Sequence, residues 1–580
     1  MVRLTFVFSL LFLGVQVRLA AYAQKPNVVF ILTDDQDKRL GSLDYLPRIN
    51  EHLTNAGITF NHHYCTVSLC CPSRVSIWTG KHAHNHNVTD VVTPYGGYPK
   101  FISEGLNENW LPIWLKDAGY NSYYVGKLFN SHTIANYFLP FPNGFAGTEF
   151  ILDPFQYQYR DPTFQRKWQL PKNYKGKYST DLVAEKSLGF LEDAIAATKP
   201  FFLTIAPIAP HVEVNVTIDV LGLSYTLSNG PPVPAERHLG LFSNVQVPRT
   251  QNFNPDAPSG VSWIADLPKL NSTEVQRNDE FFRDRLRSLQ SVDELVDEVI
   301  TRLEEHGILN NTYIFFSSDN GYHVSQHRLQ PGKKCGFEED INVPLIVRGP
   351  GVPRGKTVEF ATSHVDLAPT FLEILGIPMR DDFDGSPIPL TEGRIAALDA
   401  KEGVREHVQV EFWGKDNPNE WGGFESDSGF NNTYKSVRII SDTYDFYYSV
   451  WCTNEHELYD LTLNNLVARG APTKKVGSVG VSTSILASRL DVLLFVLKGC
   501  KGEVCRNPWK FLLPAAGIPN LAEALEPKYD DFFNSVPGVS FSACVAGHVL
   551  AAEGPQWSGL SLKSAGTKSD GSDPDWAIMT

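Results

Sequence analysis

The stretch Asn27-Val28-Val29-Phe30-Ile31-Leu32-Thr33 carries no charge and stops at two adjacent carboxylates, Asp34 and Asp35. An apolar run of this length, without strict alternation, suits a strand buried on both faces. Three further runs repeat the pattern: 123–125 before Gly126-Lys127, 201–205 before Pro210-His211, and 313–316 before Asp319-Asn320. Helical patterns lie between them. In the clearest, Leu286, Leu289, Val292, Leu295, Val296, Val299, Ile300 and Leu303 follow the helical period and Gly307 supplies a stop. Strand, helix and strand in that order imply right-handed crossovers and a mostly parallel sheet flanked by helices, an α/β class. Ligands of such sheets bind at the carboxyl ends of the strands. One edge of the sheet is therefore expected to collect Asp34, Asp35, Lys127, His211, Asp319 and Asn320.

Working outward, a strand candidate at 343–347 precedes the turn Gly349-Pro350-Gly351-Val352-Pro353, and a helix over 367–375 ends at Gly376. The segment 214–271 is rich in Pro, Gly and Asn and reads as a long excursion over the surface. Beyond about Leu390 the elements become short and mixed, with strand candidates at 408–413, 436–440 and 457–461. The expected division is a main α/β domain over 24–395, a smaller C-terminal α+β region over 396–556, and a flexible Ser/Gly/Asp-rich tail over 557–580.

Residues 1–23 read as an address. Arg3, the apolar run 4–15 and Ala21-Tyr22-Ala23 describe a secretory signal peptide cleaved before Gln24. The run is too short to span a bilayer, and no later stretch approaches the ~20 apolar residues of a membrane helix. A net charge of −14 with no basic run argues against nucleic acid as a partner. A hydrophobic content of 42% against 20% charged residues is ordinary globular composition and excludes a disordered or fibrous class. The protein is expected to be secreted, or held in a lysosome- or vacuole-like compartment. Sequons at Asn87, Asn215, Asn271, Asn310 and Asn431 suit that route. Cys500 and Cys505 are close enough for a small disulfide loop, and Cys452 could pair with Cys544 or Cys335; spacing leaves the connectivity open.

The most specific local signal is Cys70-Cys71-Pro72-Ser73-Arg74 followed by Thr79-Gly80-Lys81. On residue types alone it admits a structural disulfide, or a zinc cluster with His62, His63, Cys65, His82, His84 and His86, although those spacings match no standard zinc pattern. Asp34, Asp35, Asp319 and Asn320 are short oxygen ligands at two strand ends, as a hard divalent cation requires. The stretch resembles the signature of the type I, formylglycine-dependent sulfatases, Cys-x-Pro-Ser-Arg then Thr-Gly. The resemblance extends in order through Asn27-Val28-Val29, Thr33-Asp34-Asp35, Gly126-Lys127, Pro210-His211, Ser318-Asp319-Asn320-Gly321, Phe337-Glu338, Asp366-Leu367-Ala368-Pro369-Thr370 and Leu458-Tyr459-Asp460-Leu461, covering roughly residues 25–510. Within the family the chain resembles most the N-acetylglucosamine-6-sulfatases and secreted fungal arylsulfatases, which share the doubled cysteine and the Asp-Asn-Gly-Tyr-His found at 319–323.

The resemblance implies an alkaline-phosphatase-like core and a set of site roles. Cys70 would be oxidised to Cα-formylglycine (3-oxoalanine) by the formylglycine-generating enzyme, a partner in maturation that reads Pro at +2 and Arg at +4. Only Cys70, with Pro72 and Arg74, has both, which leaves Cys71 a buried bystander. Asp34, Asp35, Cys70, Asp319 and Asn320 would hold one Ca²⁺, in preference to Mg²⁺. Lys127 and Lys333 would neutralise the sulfate and the aldehyde hydrate, with Lys334 as the competing register; Arg74 would hold the hydroxyl and the metal carboxylates, and His211, or else Lys333, would protonate the leaving oxygen. Many arylsulfatases carry a His two residues after the active-site lysine. Here Lys127-Leu128-Phe129-Asn130 has none, leaving His84, His323 or a water as the base that collapses the sulfated hydrate. The implied reaction is hydrolysis of aryl sulfates to phenol and sulfate, with amino-sugar 6-sulfates on sulfated glycans as the alternative substrates. A phosphate or phosphonate monoester hydrolase, which would commonly use two metals, and a sulfated-glycan binding protein without turnover rank below it.

Overall fold

The computed structural model describes residues 25–218, 225–258, 260–399, 405–414, 417–421, 431–463, 478–514 and 517–557. The signal peptide and all but the first residue of the tail expected from the sequence lie outside the described residues.

Every residue of the Asn27–Thr33 strand is buried, because the strand sits near the middle of a ten-stranded sheet. Its neighbours are Thr312–Ser318 on one side and Phe201–Ala206 on the other, both parallel to it. Asn121–Gly126 and Phe145–Ile151 continue the parallel array. The edges are mixed: Leu345–Arg348 joins antiparallel beyond Thr312–Ser318, followed by Ile58–Phe60 and Lys356–Val358, while Thr163–Arg166 and Lys172–Asn173 close the far side.

Alternation along the strand assigns each side chain to one layer. Val28, Phe30 and Leu32 pack with Trp78, Leu115 and Phe371, from the helices Cys70–Thr79, Leu111–Asp117 and Leu367–Ile374. Val29 and Ile31 face Leu182, Val296 and Ile300, from Ser179–Ala196 and Ser272–Glu305. Each such buried apolar side chain contributes about 1.5–3 kcal/mol relative to exposure. The sheet is thereby held rigid between two helical layers.

The helix read from Leu286 to Leu303 begins earlier, at Ser272, where Asn271 and Glu274 form a reciprocal capping box. Its first turns pack Phe281 and Phe282 into a separate cluster with Tyr322 and Val324, so the core stripe visible in the sequence covers only the second half. The segment 214–271 departs from the expected irregular excursion. It contains a β-hairpin, Glu213–Ile218 with Tyr225–Gly230, and short helical turns at Glu236–His238 and Ser262–Ala265. The surrounding prolines had hidden the strand alternation.

In the C-terminal part, His407–Phe412, Tyr434–Ile440, Asp445–Trp451 and His456–Asp460 form a four-stranded antiparallel sheet. One face packs under the helix Thr483–Leu497. The other meets Tyr64, Val67, Phe337 and Val261 of the main unit. Disulfides join Cys452 to Cys544 and Cys500 to Cys505, and Cys335 is a free thiol. No described helix is long and apolar enough to cross a membrane.

Candidate active site

The central strands end side by side, and backbone hydrogen bonds tie the chain together beyond each end. Asp319 N donates to Thr33 O at 3.1 Å, Asp34 N to Ala209 O at 3.3 Å, and Lys127 N to Ala206 O at 3.0 Å. Gly126 is obligatory there: its φ is +106°, and a Cβ would lie 2.0 Å from the Ala206 carbonyl oxygen. Asp35 is also left-handed, with φ 66°. Its amide donates to Asp319 Oδ1 at 3.1 Å and its carbonyl accepts from Arg285 at 2.5 Å, which holds the conformation in place.

Cys70 is the first residue of the wholly buried helix Cys70–Thr79, at the end where unpaired amides concentrate positive potential. Its sulfur lies 3.1 Å from Lys333 Nζ and 3.5 Å from Asp34 Oδ1. Arg74, one turn further on, donates to Asp319 Oδ2 at 2.7 Å, to Asp34 Oδ2 at 3.2 Å and to the Lys127 carbonyl at 2.5 Å. Lys127 Nζ is 2.5 Å from Asp34 Oδ2 and Lys333 Nζ is 2.6 Å from Asp35 Oδ1. His211 Nε2 lies 3.6 Å from Asp35 Oδ2, while its Nδ1 contacts the Val212 carbonyl at 2.7 Å. A carbonyl can only accept, so Nδ1 carries the proton and Nε2 faces the carboxylates.

The structure therefore brings together Asp34, Asp35, Cys70, Arg74, Lys127, His211, Asp319, Asn320 and Lys333. Of the two lysines in competing register, Lys334 instead donates to the Asn417 carbonyl. The His/Cys run from His62 to His86 does not converge on a zinc-like cluster. His62 contacts Tyr64 and Glu359, His63 contacts Thr362, His86 contacts Ser76, and Cys65 points at the Asp340 carbonyl. His84 engages Glu411 through Nδ1 and the Cys500 carbonyl through Nε2, so neither nitrogen is free to serve as a base. His323 Nδ1 contacts Asp340 and its Nε2 is buried without a partner among the described residues.

Three carboxylates face three cations in this buried cluster. Burial alone would raise the Asp34 carboxyl, but Lys127 and Arg74 overcome it and hold it below its usual value; for Asp35, Lys333 and His211 do the same. Burial and then Asp34 push the Cys70 thiol far up, so an unmodified Cys70 stays protonated and makes a poor nucleophile. Asp35 Oδ2 and Asn320 Oδ1 are buried acceptors with no donor among the described residues. Two orphaned oxygens beside two further carboxylates fit a hard divalent cation. With such a cation the cluster would carry a net charge of about +2, suited to an anionic ester.

Tyr157 and Arg285 are among the contributors that sequence reasoning missed. Tyr157 stacks on His211 with ring centroids 3.9 Å apart and lies 4.7 Å beneath Lys127 Nζ; its hydroxyl accepts from Asn130 at 2.7 Å, which links the unusual Asn130 to the site. Arg285 occupies the apolar stripe of the long helix, a position where a charge signals a buried partner, and it holds Asp35 and Asp37.

The sulfatase family profile matches residues 26–377. The chain belongs to the sulfatase family. Curated relatives of this sulfatase include the arylsulfatase of Volvox carteri, 37% identical over 93% of this chain and 85% of that one. The N-acetylglucosamine-6-sulfatase of Homo sapiens is 32% identical over 85% of this chain and 88% of the relative. Among solved structures, a protein in complex with its substrate D-glucosamine-2-N,6-O-disulfate aligns with a TM-score of 0.59 at 22% identity, over 76% of this chain and 92% of that one; at that identity the likeness concerns the fold, which is alkaline-phosphatase-like. The chain is thus a hydrolase of sulfate esters, from a family that is metal-dependent and uses formylglycine.

Proposed function

We propose that this sulfatase cleaves aryl sulfates to a phenol and sulfate, with Cys70 as the residue oxidised to formylglycine and one Ca²⁺ held by Asp34, Asp35, Asp319 and Asn320. The observation that carries the reading is the position of Cys70: first in its helix, 3.1 Å from Lys333 Nζ and beside the Asp34 and Asp35 carboxylates. When present, the cation supplies Lewis acidity, and the oxidised side chain supplies a hydroxyl nucleophile. Lys127 and Lys333 place fixed positive charge where the sulfuryl oxygens gain negative charge, inside a buried cluster. Arg74, through its three donated hydrogen bonds, keeps Asp34 and Asp319 in one orientation. His211, when protonated at Nε2 as well, would pass that proton to the departing oxygen while its Nδ1–H stays on the Val212 carbonyl.

The coverage of the Volvox arylsulfatase supports aryl esters as substrates. Amino-sugar 6-sulfates remain the second reading, favoured by Asn130 and its contact with Tyr157. We place the enzyme in the secretory pathway, where the formylglycine-generating enzyme would act. Two disulfides suit that oxidising compartment, and the sequon residues Asn215, Asn271, Asn310 and Asn431 are all exposed. The test is mass spectrometry of the peptide containing residue 70, paired with release of nitrophenol from nitrophenyl sulfate. Formylglycine at 70 with turnover is expected; intact cysteine at 70 in an active enzyme overturns the proposal.

A further inference from the structure

Glu420 lies on the outer side of the cluster, next to Lys333. Its Oε1 lies 3.4 Å from Lys333 Nζ, its side chain is 14% exposed against 1% for Lys333, and its Oε2 is buried without a partner among the described residues. Its backbone is fixed: Glu420 N donates to the Pro331 carbonyl at 2.8 Å, Lys333 N donates to the Pro418 carbonyl at 3.0 Å, and Asn229 of the hairpin donates to the Glu420 carbonyl at 2.8 Å. The two segments touch so closely that a Cβ on Gly332 would lie 1.9 Å from the Pro418 oxygen. Trp421 stacks on Phe281 at 4.9 Å and completes the anchoring.

A carboxylate beside an anion site repels the substrate's sulfuryl group, so it needs a compensating role. Neutralising Lys333 does not supply one, because Asp35 already pairs with that ammonium at 2.6 Å. An ionised carboxylate offers about four acceptor positions, and one whole oxygen of Glu420 remains unused. Cys70 and Lys333 are each 1% exposed and Glu420 is 14% exposed, so Glu420 is the one of the three nearest to solvent.

We infer that Glu420 is a specificity-determining residue that accepts a hydrogen bond from a hydroxyl or N–H on the leaving group, and so lets the site take saccharide sulfates, the second reading above, alongside aryl sulfates. The inference rests on the sulfatase site proposed above and names the group that reads its substrate. The test compares wild type, Glu420→Gln and Glu420→Ala on N-acetylglucosamine 6-sulfate and on nitrophenyl sulfate, which has no donor. For Glu420→Ala, the loss of kcat/KM on the sugar should exceed the loss on nitrophenyl sulfate by about tenfold or more, the value of one hydrogen bond to a charged acceptor. Glu420→Gln, whose amide oxygen still accepts, should recover part of that difference. Equal losses on both substrates overturn the inference alone and leave Glu420 acting through Lys333. A wild type that cleaves nitrophenyl sulfate but not the sugar also overturns it. A wild type with formylglycine at 70 that cleaves neither overturns the site reading and this inference together.

Discussion

Lys333 Nζ bridges Cys70 Sγ at 3.1 Å and Asp35 Oδ1 at 2.6 Å, while the adjacent Lys334 extends to the Asn417 carbonyl. Lys333→Ala should lower kcat/KM by at least about a hundredfold, as expected for loss of a preorganised charge at the reacting group. Lys334→Ala should cost less than about threefold. Steady-state kinetics on nitrophenyl sulfate decide it, and comparable losses in the two variants would reject the assignment.

Asp319 does two jobs at once: Oδ1 accepts from the amides of Asp35 and Asn320, and Oδ2 accepts from Arg74. Asp319→Asn would turn an NH₂ group toward one of these donors and remove a charge from the proposed cation cage. Metal occupancy by elemental analysis and the thermal midpoint should both fall, the latter by several degrees. A variant shown to be metal-free yet fully active would remove the cation from the mechanism.

For His211, the leaving group is the probe. A phenol departs with little help, whereas a sugar alkoxide needs a proton. His211→Ala should lower kcat/KM on N-acetylglucosamine 6-sulfate at least about tenfold more than on nitrophenyl sulfate. Matching losses would instead make His211 a sulfate-binding residue.

A stability prediction arises far from the chemistry. Burial holds Glu406 at about 7, above its ordinary 4.5, even though Tyr444, Trp509 and the Leu521 amide donate to it. The folded chain therefore keeps a proton that the unfolded chain releases between about pH 4.5 and 7. Stability is highest below that window and falls as pH rises through it, by about 3 kcal/mol in all. Glu406→Gln should flatten the fall of the thermal midpoint between pH 5 and 8; an unchanged slope would show that Glu406 is ionised throughout.

The central architecture was legible because Asn27–Thr33, Phe201–Ala206 and Thr312–Ser318 are buried on both faces and read as unbroken apolar runs. Phe145–Ile151 and Asp445–Trp451 were not legible, since each mixes polar or small residues into the run. The polar residues following the strands were visible for the same reason the strands were: a charge at the end of an apolar run stands out. Tyr157 and Glu420 reach the cluster from irregular segments, where no periodicity marks them, and only the fold brings Glu420 next to Lys333. The fold also removes His84 from the candidates for the base, by giving both of its nitrogens partners that its sequence neighbourhood does not reveal.

Cys70 is 1% exposed, inside a helix whose every residue is buried, and the strand Thr312–Ser318 that carries Asp319 to it is made long after it during synthesis. Any enzyme that oxidises this side chain must reach it before the later strand docks. If Cys70 is the residue oxidised, as proposed above, maturation is a race between modification and closure of the core, with the whole stretch from Cys70 to Ser318 as the head start. A chain that folds too quickly, or meets too little of the oxidising enzyme, would be native in shape and permanently unarmed.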